Sequence, residues 1–393
     1  MILQKETLSG GAADFPGYRP AYPVDLHCHT TRSDGADTPQ QLIDHAADLG
    51  MKVIAITDHD IRPPKEIEIV NNTGADAPAG GTSDSAVSRK RVDAVDYARS
   101  RGLFLLRGIE ISCETTVEDC HIVCLGCNWD DPFFDRLEAS VVESKVCSYR
   151  ELVRRLDADG MKMTWEEVLE NGGRPVREDQ VQKKMIFELM ARKGYQPDWS
   201  AAKLLVKNTS AYQVLRQKPD PVGVIREIHR CGGIAIMAHP YLVNEPVRLP
   251  ASRDPAANAA GDTAENRAGD AVGFMAGSIS RTVTGNRGMT ESMITMTRAA
   301  YIDRLIEAGL DGIEACYSYA KTSYGGSLSP AQIGQEVRER YADRISIISG
   351  GSDYHADFKK GVKPEKARII GECGITMEYF ENCALLQKVA ART

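Results

Sequence analysis

The stretch from Val24 to Asp60 holds the first residues whose types and spacing suit chemistry. It reads V-D-L-His27-Cys28-His29-T-T-R-S-Asp34-G, then a helix-like segment, then V-I-A-I-T-Asp58-His59-Asp60. Each half is an apolar, strand-like run that ends abruptly in imidazoles and carboxylates. In extended backbone successive side chains point to opposite faces. His27 and His29 therefore fall on one side, where their nitrogens can converge on a single ion. A lone His-x-His is common, and Asp-His-Asp after a strand also serves as a helix cap, so the pattern gains weight only if the chain repeats it.

The chain does repeat it. The run from Leu103 to Ile109 meets Glu110, the next run opens on His121, and Ile234 to Ala238 ends in His239-Pro240. A run beginning at Ile345 closes on Asp353-Tyr-His355. Of eight histidines, His27, His29, His59, His121, His239 and His355 stand at strand ends, whereas His45 and His229 lie in helical patterns and read as structural or surface residues. Asp34, Glu110 and Asp353 complete a set of nine donors. Nine separately satisfied groups would leave many buried imidazoles at one rim with no shared partner, which is costly. Nine N/O donors with no obligatory thiolate exceed one tetrahedral ion and suit two or three divalent ions such as Mn, Zn or Fe. Glu110, between the His27/His29 strand and His121, is the candidate to bridge two of them.

The elements that must position these donors follow from pattern and punctuation. Strand one is Tyr22 to His27. Thr38 then caps a helix with Pro39 at its first position, and Gly50 closes it. Lys52 to Thr57 is strand two, residues 62–88 read as a long loop, and a helix spans Lys90 to Ser100. Strands three and four are joined by too few residues for a crossover helix, so they must be antiparallel. That turn brings His121 back toward Glu110. Residues 131–230 change to helical patterns (Arg136 to Asp157, Thr164 to Glu170, Asp179 to Arg192, Val222 to His229) and read as an inserted cap domain. After the His239 strand, residues 244–290 are rich in Ala, Gly, Asn and Asp with little periodicity and read as a flexible insertion. A helix from Ser292 to Ala308 leads to the strand Asp311–Tyr317, and one from Pro330 to Tyr341 leads to the last strand. Seven strands mostly separated by helices argue for an α/β barrel with its site at the carboxyl edge. The barrel is expected over 22–130 and 231–393, after an irregular lead-in over 1–21.

Composition sets outer limits. The 393 residues are 42% hydrophobic and 26% charged, an ordinary globular balance. Net charge −7 repels a polyanion in bulk, so a phosphate-bearing partner must be held by a local cluster or by metal. The N-terminus lacks a signal-like apolar core, and no run approaches the ~18 apolar residues of a spanning helix. A cytoplasmic protein without a membrane partner is expected. The ten cysteines are scattered, several inside apolar runs, as reduced buried thiols are. Cys124-x-x-Cys127 has no second pair and does not make a zinc ribbon.

The motifs H-C-H-x4-D-G, I-T-D-H-D, G-I-E-I-S, a following His, A-H-P and G-S-D-Y-H resemble those of the PHP (polymerase and histidinol phosphatase) superfamily, in its branch of stand-alone metal-dependent phosphoesterases acting on nucleotides. The likeness covers about 22–130 and 231–356, and the helical segment also resembles that branch's insertion. It implies a distorted (βα)7 barrel with a trinuclear centre. By motif, His27, His29, Glu110 and Asp353 would hold one ion, Asp34, His59 and His355 a second, and Glu110, His121 and His239 a third. The chain departs from the family in the length of 62–88 and 244–290, which bears on specificity. Gly173-Arg174-Pro175-Val176 resembles the family's G-R-P-H segment with Val176 in place of His. Arg174 and Arg177 could clamp a phosphate, or be solvated loop residues. Tyr317 could face a base or ribose, or simply pack.

Such a centre suits phosphate monoester hydrolysis, whose barrier exceeds what one acid/base pair lowers. The expected catalyst is a metal-bridging hydroxide attacking phosphorus in line, with no separate protein base. The expected substrate is a small phosphorylated molecule: a nucleoside monophosphate, a 3′,5′-bisphosphate or a short oligonucleotide. The alternatives are histidinol-phosphate phosphatase, an amidohydrolase-like C–N hydrolase, and a silent module that binds nucleic acid or a partner. The helical insertion counts against the first and the lack of a strand-end Lys for carbamylation against the second. The full ligand set counts against the third, and net charge −7 against a stable nucleic-acid complex. Oligomeric state is not legible.

Overall fold

The computed structural model describes residues 17–72, 87–114, 116–250 and 293–392. In chain order its strands are β1 (Val24–Cys28), β2 (Val53–Ile56), β3 (Glu66–Asn72), β4 (Val87–Asp93), β5 (Phe104–Ser112), β6 (His121–Leu125), β7 (Ile234–Met237), β8 (Val247–Pro250), β9 (Met293–Met296), β10 (Gly312–Cys316) and β11 (Ile347–Gly350). Seven of them form one sheet in the order β1-β2-β5-β6-β7-β10-β11. β1, β2 and β5 run parallel, as do β7, β10 and β11, while β6 is antiparallel to both its neighbours. The short β5–β6 connection imposes that reversal. The register sets Ser112 opposite His121 and Glu110 opposite Val123.

The sheet curls until its edges meet. Cys28 bridges Tyr354 in parallel fashion, and the His29 N–H donates to the Tyr354 carbonyl at 2.8 Å. Buried Asp25 closes the same seam, accepting from Ser352 N–H (3.0 Å), Ser352 Oγ (2.6 Å) and Gly371 N–H (2.9 Å). The result is a nearly closed seven-stranded α/β barrel. Its interior holds apolar side chains such as Val24, Leu26, Val53, Leu106, Val123 and Ile236.

Residues 131–230 are helical. Helix Pro132–Ala158 starts with Phe133, Phe134 and Leu137 in a barrel cluster. Its later residues Val146, Tyr149, Leu152, Val153 and Leu156 join a different cluster with Trp165, Ile186, Phe187 and Met190. One helix thus belongs to two cores.

Several element boundaries differ from expectation, and three of the differences lie at the 62–88 and 244–290 stretches and the helices that follow them. Within 62–88, β3 pairs antiparallel with β4; E-I-E-I alternation marks such a strand. The helix expected from Lys90 begins at Ala94, where Asp93 accepts from the Val95 and Asp96 N–H groups, because residues 87–93 extend the hairpin. The helix expected from Ser292 is β9 followed by helix Arg298–Glu307, capped by Thr297. β8 and β9 pair with each other where the 244–290 insertion enters and leaves the described chain. Most of that insertion and of the 1–21 lead-in lies outside the described residues. Two short C-terminal helices, Met377–Asn382 and Ala384–Ala390, pack Phe380, Leu386 and Val389 against the barrel.

Asp37 joins the first helix to the segment after β11. Its buried carboxylate accepts from His45 Nδ1 (2.6 Å), Tyr354 OH (2.8 Å) and Lys359 Nζ (2.6 Å). Burial alone would raise the Asp37 carboxyl, but these partners outweigh it and hold it below the usual carboxylate range. A depressed carboxyl stabilises the fold above the unfolded-state value near 4 and stops doing so as pH falls through its own lower value. Asp37→Asn should therefore cost about 2–4 kcal/mol at pH 7. In urea denaturation curves the gap between variant and parent should close as pH is lowered from 5 toward 2; a gap independent of pH would refute this account.

Candidate metal centre

His27 is the fourth residue of β1 and His29 follows the strand's end, so extended alternation aims both rings at the barrel mouth. The loop after them is tied down by Asp58, which accepts from Thr30 N–H (2.8 Å), Thr30 Oγ1 (2.7 Å) and Ser33 Oγ (2.6 Å). Gly35 then passes so close that a Cβ there would stand 2.6 Å from the His29 carbonyl oxygen. On the other side a Cβ at Gly351 would lie 2.3 Å from His27 Cβ. Only glycine allows these approaches.

The nine donors meet around Glu110, which is fully buried in β5. Its Oε2 lies 3.2 Å from His27 Nε2, 3.1 Å from His29 Nε2 and 3.0 Å from His59 Nδ1. Its Oε1 lies 3.0 Å from both His121 Nδ1 and His239 Nε2. Asp353 Oδ1 stands 3.5 Å from His27 Nε2 and 3.1 Å from His29 Nε2, and those two nitrogens are 3.0 Å apart. Beyond His29, His355 Nε2 is 2.9 Å from Asp34 Oδ1. Donors about 2.1 Å from one ion stand about 3.0–3.4 Å from one another, so these separations match shared coordination.

The donors fall into three overlapping groups: His27/His29/Glu110/Asp353, His29/Asp34/His59/His355 and His59/Glu110/His121, each with atoms within 4.8 Å. Compared with the sets implied by resemblance, His29 also faces Asp34, and His59 also faces Glu110. His239 adjoins the third group through Glu110 Oε1.

The fit to metal is tested by atoms that the protein alone does not satisfy. Glu110 Oε2, His59 Nδ1 and His239 Nδ1 are buried without a hydrogen bond, although three imidazole nitrogens crowd that oxygen. Against burial, which opposes charge, Glu110 is held far below the carboxylate range by His27, His59 and His121, and Asp353 by His355, Arg368 and His27. Burial likewise opposes charge on His27, yet Glu110, Glu314 and Asp353 raise it well above the usual imidazole value. The carboxylates demand positive charge inside the ring of donors, which fits divalent cations.

A surrounding layer aims the donors. His27 Nδ1 donates to Glu314 Oε1 at 2.9 Å, leaving Nε2 with its lone pair toward Glu110, and Glu314 Oε2 accepts from the His239 N–H at 2.7 Å. His355 Nδ1 donates to the Asp353 carbonyl at 2.7 Å, which turns its Nε2 to Asp34. Asp353 Oδ2 accepts from Tyr317 OH at 2.7 Å and from Arg368, itself anchored on Asp357. Glu314 and Arg368 were not singled out from the sequence. An acidic residue inside a buried run was the available signal for Glu314, whereas Arg368 sits in no motif.

A cavity of about 290 Å³ opens over the donors, with Tyr317, Lys321, Thr322 and Arg368 among its other walls. Tyr317 is buried and its hydroxyl is committed to Asp353. Arg174 and Arg177 are exposed and do not line this cavity, and Arg177 pairs with Asp179 at 2.6 Å.

Residues 25–215 match the PHP domain model. It is 26% identical over 221 residues to a 5′-3′ exoribonuclease of Haemophilus influenzae, covering 56% of this chain and 69% of that protein. A 3′,5′-nucleoside bisphosphate phosphatase of Chromobacterium violaceum is 30% identical over 138 residues, 35% of this chain and 39% of that protein. In fold, the chain resembles a Bifidobacterium adolescentis protein assigned as a metal-dependent phosphoesterase, with TM-score 0.52 and 22% identity over 95% of this chain and 98% of that one.

Glu314→Gln keeps shape but can present its amide to His27. Metal titration monitored by calorimetry should show affinity about 10–100-fold weaker than the parent's. Unchanged affinity would mean that Glu314 only packs.

Proposed function

We propose that this protein is a metal-dependent phosphoesterase that hydrolyses a phosphate monoester of a nucleotide. The observation that carries the reading is the ring of imidazoles and carboxylates around Glu110, with Glu110 Oε2 buried and unsatisfied. Two or three divalent ions, Mn, Zn or Fe, would be held by His27, His29, Asp34, His59, Glu110, His121, His239, Asp353 and His355. Bound there, such ions would activate water near neutral pH, neutralise phosphoryl oxygens and steady the leaving oxygen.

The chain's own residues supply the rest. Glu110 separates the donor groups and fixes their spacing, and its desolvation makes it a strong charge partner for cations. Tyr317 and Arg368 occupy Asp353 Oδ2, so that only Oδ1 faces His27 and His29. Arg368, paired with Asp353 and Asp357, and Lys321, paired with Glu372, offset carboxylates at the cavity walls, so the charge that favours a phosphate here would come from the bound ions. The named activities of the exoribonuclease and bisphosphate phosphatase relatives support a nucleotide as the phosphate's carrier. Within the expected cap of 131–230, the part from Val146 to Tyr212 is proposed as a separately packed insertion, because Phe133, Phe134, Leu137, Val224, Ile225 and Ile228 at its two ends pack in the barrel cluster; Arg174 and Arg177 would meet a substrate only outside the metal-centre cavity. Among the described residues no helix is long and apolar enough to cross a membrane.

Phosphate release should be measured from nucleoside monophosphates, 3′,5′-bisphosphates, short oligonucleotides and histidinol phosphate, with Mn or Zn and after chelation. Turnover should be confined to nucleotides and vanish on chelation. Asp353→Ala should lower kcat/KM by at least about 10³, as loss of a preorganised charge at the reacting centre does. Failure of the metal-loaded protein to release phosphate from any substrate would overturn the proposal.

A further inference from the structure

A second cavity, about 800 Å³, adjoins the one at the metal centre: both are lined by Asp119, Leu242 and Ser323. Its wall carries two flat groups held rigidly in place. The Tyr324 hydroxyl accepts from the Leu328 N–H at 3.3 Å, and the ring meets Tyr319 edge-on at 5.3 Å between centroids. Gly326 lies so close that a Cβ there would be 2.1–2.7 Å from the Tyr324 hydroxyl and ring. The second flat group is the Arg298 guanidinium, 4.0 Å from the Tyr241 ring centre and donating to the Val243 carbonyl at 3.2 Å.

Fixed aromatic and guanidinium planes are the surfaces on which unpaired bases stack. The charges narrow the occupant further. Glu118, Asp119 and Glu245 line the cavity against the single cation Arg298, whose guanidinium already stands 3.8 Å from Glu245 Oε2. A net acidic wall repels a further phosphate and accepts hydrogen bonds from ribose hydroxyls and base amino groups. The wall chemistry therefore matches the neutral part of a nucleotide.

We infer that this second cavity is the nucleoside subsite, with Tyr324 and Arg298 as its stacking planes, next to the metal centre that receives the phosphate. The inference rests on the phosphoesterase reading of that centre. It accounts for selectivity by the base rather than by a second phosphate, and it requires the base to be outside a duplex, where neighbouring bases would cover its faces.

The test compares adenosine 5′-monophosphate with ribose 5-phosphate on the Mn-loaded parent, Tyr324→Ala, Tyr324→Phe and Arg298→Gln, together with calorimetric binding of adenosine to the chelated proteins. Tyr324→Ala should raise KM for the nucleotide between about five- and about 100-fold more than for ribose 5-phosphate, with little effect on kcat, as loss of one base stack does. Tyr324→Phe should restore the parent ratio, and Arg298→Gln should raise the nucleotide KM relative to that for ribose 5-phosphate, which keeps the test decisive should Tyr324→Ala fail to fold. Adenosine binding without metal should weaken in step. Equal losses on both substrates, or an unchanged ratio with phosphate release intact, would overturn the subsite alone. Tyr324-dependent adenosine binding by a protein that hydrolyses no phosphoester would uphold the subsite and overturn the phosphoesterase reading.

Discussion

The barrel rim depends on a carboxylate removed from bulk solvent. Glu110 is fully buried, and an ion of that size taken from water costs several kcal/mol unless partners replace its hydration. Five imidazoles surround it within 3.0–3.2 Å. Protonating all five would set five positive charges against the two carboxylates of Glu110 and Asp353 and pack like charges together, with His29 and His59 ring centroids 4.5 Å apart. Neutral imidazoles around divalent cations remove both difficulties at once, since the cation replaces the protons and the lone pairs point inward. The ring is therefore coherent as a set of ligands and incoherent as a set of hydrogen bonds.

The fold meets that demand through two departures from a regular parallel barrel. Antiparallel β6 enters the rim with its first residue, His121, where a parallel strand would have arrived with its last. The β1/β11 edge is then closed by Asp25, Ser352 and Gly371 and by the bridge between Cys28 and Tyr354, which sets His27 and His29 beside Asp353 and His355. Local backbone cost accompanies this placement. Asp60, His239 and Asp353 all take positive φ (54°, 29° and 52°), a region that costs a non-glycine residue about 1–3 kcal/mol. Those residues lie at or next to the donors, and the hydrogen bonds of Glu314 to the His239 N–H and of Arg368 and Tyr317 to Asp353 hold two of them there.

Much of this clustering was legible in the sequence because the metal ligation proposed for it draws on few residue types. A single His-x-His pair decides little, but alternation puts His27 and His29 on one face, and six of the eight histidines stand at strand ends. The antiparallel β5–β6 turn was legible from loop length alone. The β3–β4 hairpin was hidden by a polar, glycine-rich interval, although its own E-I-E-I alternation was present. Glu314 and Arg368 were hidden for another reason: their meaning lies in contacts with His27 and Asp353, and nothing local distinguishes a carboxylate that aims an imidazole from one that pairs with a surface lysine.

Tyr317 shows why substrate contacts are harder to read than ligands. Its position after a strand end made it a candidate to face a base, and it does line the cavity, but its hydroxyl is spent on Asp353 and its ring is packed against Tyr319 at 4.8 Å. Tyr319, Tyr324, Tyr241 and Arg298 continue that chain of planar groups away from the metal centre. The same chemistry that packs these groups on one another suits them to stack on a base, so residue type cannot separate the two roles. What separates them is whether a face is left toward a cavity, and that is settled by distant segments: the glycines at 325 and 326, and the backbone around Val243. A metal site announces itself in its residue types, whereas the surface that selects a substrate exists only once the chain has closed around it.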